Sequence, residues 1–69
     1  MFYEVWEVDF IKGIKIKKIG CFIEHEYATN CAFEHAKTFC EDKEVTICED
    51  NFCGDNYFGA AIFMKGDKP

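Results

Sequence analysis

Four side chains have the types and spacing for metal chemistry: Cys31, His35, Cys48 and Cys53. Cys31 and His35 stand four residues apart, so on a helix they share a face and can reach one ion. Cys48 and Cys53 flank a turn-like stretch. Three thiolates and one imidazole would make a tetrahedral zinc site, a useful brace for a small domain. The close Cys-x-x-Cys pair of zinc ribbons and knuckles is absent, however. His35 also falls among alanines, where a hydrogen-bonded core histidine is the commoner outcome, and buried cysteines often behave as plain small hydrophobes. The expectation is inert thiols and no cofactor, with a small Cys/His zinc-binding domain as the alternative.

For catalysis the materials do not converge. A thiol–imidazole pair is present, but no strand-to-helix nucleophile elbow and no third orienting group accompanies it. Carboxylates fall mostly in strings such as Glu24-His25-Glu26 and Glu41-Asp42-Lys43-Glu44, the composition of solvated helix ends. There is no glycine-rich phosphate loop, no H-E-x-x-H and no EF-hand spacing. A non-enzymatic protein is expected.

Charge narrows the partner. The 69 residues carry a formal charge of −5, with thirteen acids, eight lysines and no arginine. Lys12, Lys15, Lys17 and Lys18 sit together without an acid among them, which fits the lysine guard of an exposed sheet edge. Without arginine and with a net negative charge, direct nucleic-acid binding is disfavoured; weak binding through the lysine hairpin is a third reading. From Glu41 to Asp55 the chain holds six acids and one lysine. Glu41, Asp42, Glu44, Glu49, Asp50 and Asp55 are the candidate partner-binding acids, steering the chain toward a protein with a basic, nucleic-acid-binding surface. No apolar run approaches the ~20 residues that span a bilayer, and Met1-Phe2-Tyr3-Glu4 lacks the basic start of a signal peptide. Five cysteines, an odd number, suit free thiols in a reducing compartment, so a cytoplasmic location with no membrane contact is expected.

The elements that must position these residues are short. Phe2 to Phe10 alternates, with Phe2, Trp6, Val8 and Phe10 on one face and Glu4 as the interruption. A three-residue loop, Ile11–Gly13, with Gly13 left-handed, sets Phe10 opposite Ile14 and Glu7 opposite Lys17. Beyond Ile16 the apolar parity slips by one, which calls for a bulge near Lys17-Lys18. Tyr27 to Asp42 has helical spacing, with Ala28, Ala32, Ala36 and Phe39 on the buried side. Val45 to Glu49 and Tyr57 to Met64 read as strands around a turn at 50–55, and Gly59, Ala60 and Ala61 leave room for something large opposite. The expected fold is α+β, a single domain over residues 1–69: a four-stranded antiparallel sheet with one helix, in the order β-β-α-β-β. If the helix covers the Phe2–Phe10 face, then Tyr3, Val5, Phe22 and Phe58 are left on the second face. Tyr3 and Phe58 are then the anchors of a partner or homodimer interface.

Two resemblances follow. Gly20 and Phe22, with the alanines Ala28, Ala32 and Ala36, resemble the strand-to-helix junction of AP2-type DNA-binding domains over about seventeen residues. The DNA-reading arginines and tryptophans of that family have no counterpart on the strands here, so its function does not carry over. A stand-alone acidic β-β-α-β-β chain of this size also resembles the small phage and mobile-element inhibitors of the anti-CRISPR type. That likeness is of size, charge and fold style, and it transfers no residue. It implies a protein-interaction module that inhibits a nucleic-acid-processing defence complex in a bacterial host cell, by masking a protein surface.

Overall fold

The alternation at the start of the chain becomes strand β1, Phe2–Asp9, in the computed structural model, which describes residues 1–39, 47–49, 51–55 and 57–66. Strand β2 (Ile14–Phe22) and helix α1 (His25–Phe39) come next. Strands β3 (Ile47–Glu49), β4 (Phe52–Gly54) and β5 (Phe58–Lys65) follow. Among the described residues the fold is α+β, one antiparallel sheet with a single helix, in the expected β-β-α-β-β order with one addition. The stretch at 50–55, expected as a turn, contains the three-residue strand β4, so the sheet runs β2-β1-β5-β4-β3. β1 and β5 pair over their whole length without a shift, from Phe2↔Lys65 to Asp9↔Phe58, so the first and last strands lie side by side.

The first hairpin departs from the expected register. Asp9, not Phe10, lies opposite Ile14, which makes a four-residue loop. The cause is the Asp9 carboxylate: Oδ1 accepts the backbone N–H groups of Ile11 (2.9 Å) and Lys12 (3.0 Å). The N–H of Gly13 closes the turn on the Asp9 carbonyl at 2.8 Å. Gly13 has φ of 68°, the left-handed conformation expected of it. Glu7 lies opposite Lys17 as expected, and register shifts fall on either side of that pair, leaving Ile16 and Ile19 as the extra residues of β2.

The helix packs close to the sheet because its inner stripe is small. Ala28, Ala32 and Ala36 are fully buried against Val5 of β1, Ala60 and Ile62 of β5, and Cys53 of β4. Ala28 donates its N–H to the Glu24 carbonyl, starting the helix, and Glu26 in the first turn suits the dipole. Full burial of a Val5-sized side chain contributes roughly 1.5–3 kcal/mol. Strict alternation along β1 then decides the faces: Tyr3, Val5 and Glu7 point to the helix, and Phe2, Glu4, Trp6 and Val8 point away. This reverses the expected assignment. The large rings of β1 lie on the helix-free face, because a helix seated on alanines leaves no depth for a tryptophan beneath it.

Candidate interaction face

The helix-free face gathers rings from three strands. Trp6 lies opposite Ala61 in the β1–β5 ladder, and Phe52 of β4 lies opposite the same alanine from the other side, so this small residue makes the expected room for large neighbours. Phe10 stacks on Phe52 with ring centroids 4.4 Å apart and planes 15° from parallel. Lys15, opposite Val8, carries its ammonium 4.1 Å from the Phe63 ring centre and 5.0 Å from that of Trp6. Between the hairpin loop and β4, Phe10, Lys15, Phe52 and Ala61 border an open groove of about 390 Å³, with Val8, Ile14 and Phe63 on its walls. Two of its apolar lining residues, Phe10 and Ile14, are each at least half exposed. The loop is tied down, since Phe10 donates its N–H to the Tyr57 carbonyl at 2.7 Å.

The far end of the same face is polar and satisfied. Trp6 Nε1 donates to Glu4 Oε1 at 3.0 Å, and Lys18 and Lys65 approach the same carboxylate at 3.8 and 3.9 Å. The Trp6 hydrogen bond, then the charges of Lys18, Lys65 and Lys15, hold the Glu4 carboxyl below its ordinary range against an opposing effect of desolvation. A lowered folded value means that Glu4 contributes stability above the ordinary carboxylate range and loses it as pH falls through the folded value. Glu4→Gln is therefore expected to lower stability at neutral pH, leave it little changed in acid, and so flatten the acid side of the stability–pH curve. Urea midpoints across a pH series check this; an unchanged acid limb would show that Glu4 is not the group responsible.

The residues expected to bind a partner are placed differently. Tyr3 is half-buried on the helix side, packed against the core with its ring edge-on to His25 at 5.1 Å. Phe58 is half-buried at the start of β5, with the parity of the core residues Ala60 and Ile62. Neither is an exposed anchor on the helix-free face. Val5 and Phe22, expected on that face too, also pack with the core. Asp55 is a turn residue whose Oδ1 accepts the N–H groups of Tyr57 (2.7 Å) and Phe58 (2.8 Å). Glu41, Asp42, Glu44 and Asp50 lie outside the described residues, as does the side chain of Glu49.

Of the four metal candidates, Cys48 and Cys53 lie opposite each other in the β3–β4 ladder. Cys53 is disulfide-bonded, and a disulfide sulfur offers no thiolate to zinc. The disulfide also corrects the expectation of free thiols throughout and removes that ground for a reducing compartment. Cys21 and Cys31 are free, and burial pushes the Cys31 thiol up, favouring its protonated form. His35 lies across the helix–sheet boundary with Nε2 3.1 Å from Glu7 Oε1, and the side chain of Cys48 lies outside the described residues. Among the described residues no three His, Cys, Asp or Glu side chains converge on a common point. Nor is any helix among them long and apolar enough to cross a membrane.

Sequence reasoning missed Phe52, Phe63 and Lys15 as members of the face. One signal was available: Gly59 and Ala61 share the parity of Phe63, and small residues in a strand mark where neighbouring rings lie. Comparison with known proteins adds no relative: no family model, no curated protein and no solved structure matches the chain.

Proposed function

We propose that this chain is a non-enzymatic protein-interaction module that binds its partner through the helix-free face of the sheet. The observation that carries the reading is an apolar groove lined by Phe10, Phe52 and Phe63, with Trp6 beside it across Lys15, on a chain of only 69 residues. Aromatic side chains are the commonest energetic anchors of interfaces, and contiguous exposed apolar surface of this kind is where partners dock. The acid on the groove wall, Asp9, is engaged in shaping the loop and is not set up for proton transfer.

Within that class we read the chain as an inhibitor of a nucleic-acid-processing defence complex, of the anti-CRISPR kind, which masks a protein surface. Small size and a net charge of −5 support this narrower reading, with the acids of residues 41–55 drawing in a basic effector. Site-specific photo-crosslinking tests the broader one. A benzoylphenylalanine at position 14, on the groove, is expected to capture a discrete protein in cells that express the chain, and one at position 34, on the outer face of α1, is not. Capture from position 34 alone would move the interface to the helix and sink the proposal. Capture of a second copy from position 14 would make the face a homodimer interface.

A further inference from the structure

Resting on that reading, we infer that the groove grips an acidic segment of the partner, a peptide stretch in which carboxylates flank a bulky apolar side chain. Charge complementarity carries the inference. The chain has thirteen acids, yet none lies between Phe10 and Ile23, and of the lysines in that stretch Lys15 and Lys18 stand on this face, opposite Val8 and Trp6, with Lys12 in the loop beside it. Lys18 is compensated by Glu4, but Lys12, Lys15 and Lys17 make no ion pair among the described residues. Lys15 is held against the Phe63 and Trp6 rings, so its ammonium stands at the groove wall, acting on Glu4 only at longer range and in no close ion pair among the described residues. An ammonium in that position adds charge recognition to an apolar slot of about 390 Å³, enough for one or two large side chains.

Two other occupants fit less well. A two-fold dimer through this face would bring two lysine hairpins together, and like charges at an interface are unfavourable. Strand addition at β2, an edge of the sheet, is obstructed by the two register shifts that interrupt its ladder.

Trp6 is the chain's single tryptophan and touches Lys15, so its fluorescence reports binding without a label. The probes are a tryptophan-free acetylated peptide of alternating Glu and Leu around a central Phe, the same peptide with Gln for Glu, free decanoate, and phosphatidylserine vesicles. The Glu peptide is expected to bind about tenfold tighter than the Gln peptide, from several exposed ion pairs of modest individual strength. The K12Q/K15Q variant should lose that advantage at an unchanged melting temperature, as should wild type in high salt. Equal binding of the two peptides overturns the acidic preference but leaves the interaction face standing. Binding of decanoate or vesicles with neither peptide overturns both readings, in favour of a small organic acid or a lipid surface. No response to any probe also overturns the inference, and the crosslinking result then judges the face alone.

Discussion

Gly59→Ala is expected to destabilise the protein by about 3 kcal/mol, a large share of what a domain of this length has to lose. Gly54 and Gly59 face each other across the β4–β5 ladder, with the Phe52 ring lying over the pair. A Cβ on Gly59 would stand 2.8 Å from Phe52 Cζ and 2.9 Å from the Gly54 Cα, and it would run into the Cys53 carbonyl oxygen. The first obstacle is a ring that can swing, but the other two are backbone. Relief requires β4 to move, and with it Phe52 and its stack on Phe10. Two other glycines calibrate the result. Gly13 has open space around its missing Cβ but a φ of +68°, so Gly13→Ala should cost about 1 kcal/mol. Gly66 has no neighbour within 4 Å and no positive φ, so Gly66→Ala should stay within about 0.5 kcal/mol of wild type. Urea unfolding of the three variants gives the order directly. A Gly59 variant as mild as the Gly66 one would mean that β4 does not press on β5 as closely as described.

The features legible in the sequence are those written in local patterns. Period-two alternation gave β1, the alanine spacing gave α1 and its buried stripe, and Gly13 gave the left-handed loop position. The loop length was not legible, because matching side chains across the hairpin favoured a Phe10–Ile14 pair. The Asp9 carboxylate instead captures two backbone N–H groups and adds a residue to the loop. One residue of register was enough to leave Ile14 and Ile16 about half exposed. The choice of face failed for a different reason. Both faces of β1 are apolar, so hydrophobicity alone ranks the bulkier one, Phe2-Trp6-Val8, as core. Depth decides otherwise for the helix: seated on alanines, it covers Val5, Ala60 and Ile62, while Phe2 and Val8 are buried on the opposite face and Trp6 is half-buried there. Glu4 in the middle of the ring face was the sign that this side meets water. The candidate site followed the faces: Tyr3 went to the core, and the rings that line the groove came from Phe10, Phe52 and Phe63.

The same difference in depth sets the second large effect. Ala32→Leu is expected to cost about 2–3 kcal/mol, because the added branch has no space between α1 and the sheet and must lift the helix. Ala32 is fully buried in the middle of the stripe, with Ala28 and Ala36 one turn away on either side. Lifting the helix would also strain the His35–Glu7 contact that ties it to β1. Thermal melting of Ala32→Leu beside an exposed control, Asn30→Leu, measures the effect, and equal midpoints would mean that the helix can ride higher on the sheet at little cost. The prediction bears on function because the two faces of the sheet do separate work. A substitution beneath the helix should lower stability and leave peptide affinity intact for the fraction that remains folded. Lys15 stands on the other face and packs only against rings at the surface, so its loss should do the reverse. A variant set that moved stability and binding together from either side would show that the helix-covered core and the aromatic groove are one energetic unit.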